Sequence, residues 1–145
     1  MITTVLAAVV AVTLGVLACG LWTRRQFRRM PGAFPCKTRT VSRMGRTGSW
    51  RRSTAYACWI HDVLFVHPGF GRLRAIALPV DHADGPIAAT RDVSVKGRES
   101  VSLRLALDDG SREQIAVPAS ASELLVGPFV ALHMAGPRGD RTSST

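Results

Sequence analysis

From Ile2 to Trp22 the chain carries no charged side chain, and Arg24 and Arg25 follow just past Thr23. That run constrains the fold more than anything after it. At ~1.5 Å per residue, about 20 residues cross a hydrocarbon core of roughly 30 Å. Only a backbone that satisfies its own hydrogen bonds survives there, so the run predicts one transmembrane helix. Thr3, Thr4 and Thr13 are compatible with it, because a threonine hydroxyl bonds back to the preceding turn. Trp22 stands where an interfacial aromatic anchor belongs.

Three fates of such a segment compete: a permanent signal anchor, a cleaved secretory signal and a lipoprotein signal. Cleavage wants a basic leader and a shorter apolar core. Met1-Ile2-Thr3-Thr4 has no basic side chain. Val16-Leu17-Ala18-Cys19-Gly20 loosely resembles a lipidation site, but Leu17 is bulky for its place and the basic leader is again missing. The anchor is the expectation, with Cys19 a small apolar residue inside the helix.

Charge predicts the orientation. Asp62 is the first acidic residue, and the formal charge of +9 divides into +10 before it and −1 from it onward. Positive flanks of a span stay in the cytoplasm. The expected placement is therefore a single pass through the cell membrane, amino terminus outside and C-terminal domain cytoplasmic. Arg24, Arg25, Arg28 and Arg29 are the candidate contacts for anionic lipid, at roughly 1 kcal/mol per basic residue near the surface. A pure topology role for these arginines competes evenly with lipid recognition. A pI near 11.2 also raises nucleic acid. The charge abuts a span and no nucleic-acid motif is present, so nucleic acid is not expected as a partner.

The remainder predicts a basic juxtamembrane linker over residues 24–49 and a β-rich domain over 50–136, followed by a disordered tail over 137–145. Residues 1–23 form the anchor. Pro31-Gly32 breaks any continuation of its helix, and the polar stretch Lys37 to Ser49 reads as an exposed loop. From Trp50 the period is two, with Trp50, Thr54, Tyr56, Cys58 and Ile60 on one face. His61-Asp62 turns the chain into Val63–Val66. Arg72–Leu78 is the next strand, with Pro79 at its edge or end. Asp81 to Pro86 is turn chemistry and Ile87–Val95 a weaker strand. Val101, Leu103, Leu105 and Leu107 alternate with polar or small residues, Asp108-Asp109-Gly110 turns, and Gln114–Val117 returns. After Pro118, Ser120 and Glu123 have capping-box spacing, with Ser122 the alternative cap. Leu125, Phe129 and Leu132 form the stripe of a C-terminal helix, kinked at Gly127-Pro128. A single transmembrane helix, then a small mostly-β domain closed by one helix, is the expected fold class. That order admits a pleckstrin-homology-like split barrel.

No pattern signals catalysis. Cys58 and His61 have Cys-x-x-His spacing, and Cys36 and His67 complete a conceivable set, but residues three apart on a strand point to opposite faces. Zinc sites usually carry a matched second pair. Cys36 and Cys58 are the one pair available for a disulfide, and a cytosolic domain keeps them reduced. His61, His67, His82 and His133 are scattered, Asp108-Asp109 belongs to a turn, and phosphate-cradling motifs are missing. The expectation is a non-enzyme with no metal and no cofactor that binds or scaffolds at the membrane. Its partner is anionic lipid, a membrane protein or complex, or both. A secreted or lipid-anchored domain and an enzyme with an unrecognised site are the alternatives.

PGAFPCKTR from Pro31 to Arg39, the Gly-Ser-Trp-Arg-Arg strand start from Gly48 to Arg52 and SELLVGPFVALHMAGP from Ser122 to Pro137 form a recognisable set behind the short span. In this layout the chain resembles the actinobacterial domain-of-unknown-function 2550 family, whose members are short single-pass membrane proteins. The resemblance implies class and location. It implies no activity and no site residues.

Overall fold

The computed structural model describes residues 2–69 and 74–127. It begins with α1, Ile2–Arg28, a helix of 27 residues and about 40 Å at 1.5 Å per residue. This is the one helix among the described residues long and apolar enough to cross a membrane, and the rest of the chain does not cover its apolar window. Thr13 Oγ1 donates to Val9 O at 2.8 Å and Thr23 Oγ1 to Cys19 O at 2.6 Å, so these two hydroxyls are satisfied within the helix.

Seven antiparallel strands follow: β1 Phe34–Val41, β2 Ala55–Ile60, β3 Val63–His67, β4 Ile76–Ala83, β5 Ala88–Val95, β6 Arg98–Leu107 and β7 Arg112–Pro118. Their order is β4-β3-β2-β1-β7-β6-β5, and β4 also pairs with β6. β1–β4 and β5–β7 are thus two meanders joined along β1–β7 and β4–β6. Closure is uneven, because one edge of β6 is shared. Its Arg98–Ser102 half pairs with β5, and Leu105–Leu107 pairs with β4. A 3₁₀ turn, Ala119–Ala121, leads into α2, Ser122–Val126. This is the mostly-β domain with a C-terminal helix that the order of elements predicts.

The core lies between the two meanders. Phe34, Leu64, Leu105, Ile115 and Leu125 are fully buried there. Fully burying a side chain of this size contributes roughly 1.5–3 kcal/mol.

Several expectations need correction. The interval expected as a linker and loop contains β1, a central strand between β2 and β7. Phe34, Cys36 and Thr38 point inward there, Val41 is buried on the other face, and Thr38 and Arg39 disguise the strand as polar chain. β2 starts at Ala55 rather than Trp50. Pro79 lies inside β4, opposite Val63. It has no amide to donate, but its carbonyl accepts from Asp108 N at 3.1 Å, and Val80 N bonds Asp62 O at 3.2 Å. The proline marks where β4 leaves β3 for β6, and this carries the strand through Asp81–Ala83, where a turn is predicted. At the carboxyl end Ser120 lies in the 3₁₀ turn. Ala121 precedes α2 and makes no side-chain cap. Phe129, Leu132 and the tail lie outside the described residues.

Candidate functional site

The site begins where the apolar run stops. α1 continues past Trp22 because Thr23–Arg28 contains no helix breaker. Arg25 and Arg28 in its last turn oppose the negative end of the helix dipole. Arg29 N→Gln26 O, Met30 N→Phe27 O and Ala33 N→Met30 O then wind the chain off the helix ahead of β1.

This last turn is docked on the domain. Phe27 retains 7% of its exposure and packs with Tyr56 and Cys58 of β2, flanked by Ala33 and Phe65. Its ring lies 5.5 Å from that of His67, tilted by 47°. Arg24 Nη2 donates to Thr54 O at 3.2 Å. Arg24, Phe27 and Arg28 are spaced i, i+3, i+4 and share the face turned to the domain. Arg25 and Arg29 fall on another face and are exposed.

Tyr56 gathers the cations. Arg28 lies 5.1 Å and Arg24 5.9 Å from its ring centroid, and Lys96 Nζ reaches 5.1 Å from the β5–β6 turn. Lys96 and Gly97 both have positive φ, 54° and 71°, as a tight two-residue hairpin requires. That turn swings Lys96 to the end of α1. Among the described residues none of Arg24, Arg25, Arg28, Arg29 and Lys96 forms a salt bridge. Cation–π attraction contributes about 0.5–1 kcal/mol at such exposed sites. It does not neutralise charge, so Arg24, Arg28 and Lys96 remain three like charges around one ring.

All four arginines expected as lipid contacts therefore lie at one junction, where Leu21 and the four line a shallow groove. Phe27, Tyr56 and Lys96 are residues of this junction that sequence reasoning misses. A lone phenylalanine inside a basic run is the signal for the first, and Lys-Gly between two strands for the last.

A second network ties down the segment between β1 and β2. The Arg39 guanidinium stacks over the Trp50 ring at 4.2 Å and donates to Asp92 Oδ2 at 2.9 Å. Trp50 Nε1 donates to the same oxygen at 3.0 Å. Arg39 Nε also reaches Gln114 Oε1 at 2.9 Å, and Gln114 Nε2 donates to Ser102 Oγ at 2.8 Å. The Trp50 hydrogen bond, with the Arg39 charge behind it, holds the Asp92 carboxyl below the usual carboxylate range. Trp50 is thus a clamp for Arg39 and not the start of a strand.

The cysteine and histidine candidates are dispersed. Cys36 lies in the barrel core beside Ala55 and Ala57, whereas Cys58 lies on the outer face under Phe27. A sheet separates them, and both are free thiols. Burial pushes Cys36 up to about 12 and raises Cys58 as well, so both stay protonated. His61 is exposed in the β2–β3 turn. His67 is buried at the other end of β3, its Nδ1 2.9 Å from Pro68 O and its Nε2 unpartnered. Among the described residues no three of His, Cys, Asp or Glu converge on a metal-sized site.

Compared with protein-family models, curated proteins and solved structures, the chain matches none.

Proposed function

We propose that this chain is a membrane-anchored, non-catalytic binding or scaffolding protein whose β domain is held at the cytoplasmic leaflet. The observation that carries the reading is the docked end of α1. Phe27 fixes the helix to the domain, Arg24, Arg28 and Lys96 gather around Tyr56 where the apolar run ends, and Arg25 and Arg29 stand exposed beside them, none of the five in a salt bridge among the described residues. Anionic lipid headgroups relieve the mutual repulsion of those cations, at roughly 1 kcal/mol for each one near the surface. The same face suits an acidic segment of a membrane protein. The cytoplasmic assignment follows from the basic flank, and the resemblance to single-pass actinobacterial proteins agrees with a single span.

Two measurements test the reading. A reporter active only in the cytosol, fused to Thr145, should be active; a silent but expressed fusion refutes the orientation. The full chain, extracted from mixed membranes, should enrich phosphatidylglycerol over phosphatidylcholine. Replacing Arg24, Arg25, Arg28, Arg29 and Lys96 by glutamine should abolish that enrichment. Equal enrichment by both proteins refutes lipid recognition.

A further inference from the structure

Among the described residues, one end of the barrel is plugged and the other is open. At the plugged end Leu125 of α2 is fully buried, and Trp59 Nε1 donates to Leu125 O at 3.1 Å. At the other end, where β2 begins and β3 finishes, a cavity of about 320 Å³ opens to solvent. Its wall is apolar, made by Ala55, Val66, Ile76 and Leu78. Its rim is polar, with Arg51, Arg52 and Ser53 facing Thr38 and Glu113. Ile76 keeps 38% of its exposure, an apolar side chain standing at the mouth.

The rim has a charge preference. Two arginines and one glutamate line it, and Glu113 already accepts from Thr40 Oγ1 at 3.0 Å. Arg51 acts on Glu113 at longer range. Arg52 has no side-chain hydrogen bond or salt bridge among the described residues. The mouth is close to the span as well. Arg24 holds Thr54 O at 3.2 Å, and Thr54 adjoins the rim residue Ser53.

We propose that the open barrel mouth binds an anionic single-chain amphiphile from the adjoining leaflet. Its head lies between Arg51 and Arg52, and its apolar part lies against Val66, Ile76 and Leu78. An apolar wall alone would take any alkyl chain; the two arginines select a negatively charged head, for which guanidinium geometry is suited. The volume lies at the lower end of ligand pockets, about 300–1,000 Å³, and accommodates one short chain. The inference needs the span but not the side of the membrane on which the domain sits, so it fails or stands separately from the orientation proposed above.

The test uses the full chain in phosphatidylcholine nanodiscs with labelled Val, Leu and Ile methyls, titrated with hexyl phosphate. Inorganic phosphate and hexanol are separate arms. Hexyl phosphate should produce saturable shifts at Val66, Ile76 and Leu78. Inorganic phosphate, which lacks the chain, and hexanol, which lacks the charge, should each bind at least tenfold more weakly. Arg51→Gln with Arg52→Gln should weaken hexyl phosphate at least tenfold, with the core methyls of Leu105 and Val117 unmoved to report an intact fold. Equal affinity in the double variant, or equal affinity for either control, overturns the proposal. So do shifts confined to Leu21 and the α1 end.

Discussion

The ring of Phe27, in the last turn of α1, lies 5.5 Å from the ring of His67 at the end of β3. One residue belongs to the helix that carries the apolar run, the other to the barrel. Phe27 also packs with Tyr56 against Cys58, which is buried in that cluster.

Phe27→Ala should open that joint. Truncating a buried phenylalanine costs about 3–5 kcal/mol in a core, and the lower end is expected at this small cluster. The direct readout is maleimide labelling of the full chain followed by peptide mass spectrometry. Cys58 should become reactive in the variant while Cys36, inside the barrel, stays protected. Unchanged protection of Cys58 refutes the contact as a lock.

Asp92→Asn should loosen the clamp on Trp50. The folded-state carboxyl is lowered by Trp50 and Arg39, so its stabilisation is present above the unfolded value of about 3.9 and is lost as pH falls through the folded one. The Asp92 side chain is 52% exposed, which limits the effect to below about 1 kcal/mol after solvent screening. Denaturation of wild type and variant at pH 7 and at pH 3 should show a gap that narrows at the lower pH. Trp50 fluorescence should shift in the variant.

Glu113→Gln should act with the opposite sign. Burial raises this carboxyl, so stability is lost as pH rises from the unfolded value through the folded-state one, and the penalty is complete above it. The penalty is absent below the unfolded value of about 4.3. The glutamine amide oxygen still accepts from Thr40. The variant should therefore melt higher than wild type at pH 7 and equally at pH 4. A lower melting temperature at pH 7 would show that Arg51 outweighs burial.

Gly127→Ala should unseat α2. Gly127 has φ +41°, and a methyl group there would meet Trp59 Cδ1 at 2.6 Å. The indole would have to move, which endangers its bond to Leu125 O, worth about 1 kcal/mol. A loss of at least that size is expected in chemical denaturation, with faster hydrogen exchange at Leu125.

The sequence made some of this legible and hid the rest for identifiable reasons. The β6–β7 hairpin is readable because Leu103, Leu105 and Leu107 alternate with polar or small neighbours and Asp108-Asp109-Gly110 turns them. β2 is harder, because both of its faces are covered. Ala55, Ala57 and Trp59 face the barrel while Tyr56 and Cys58 face α1, so alternation suggests one buried side where there are two. β1 is masked because Thr38 is buried and Arg39 is held by Asp92 and Gln114. A polar strand stabilised by side-chain bonds has no apolar period to detect. At the candidate site the four arginines announce themselves by their position beside the span. Tyr56 and Lys96 do not, because forty residues separate them and only the barrel brings both to the end of α1.

The unbroken helix from Ile2 to Arg28 also sets a phase. A flexible linker would let the barrel tumble beneath its anchor. Here Phe27 is joined to Trp22 by continuous helix, so the azimuth of the barrel about the helix axis is dictated by residue count. Each residue inserted or deleted between them would swing the whole barrel by about 100° around that axis. Whichever face of the barrel meets a neighbour in the membrane is therefore chosen by the helix, much as a key's teeth are aligned by its shaft.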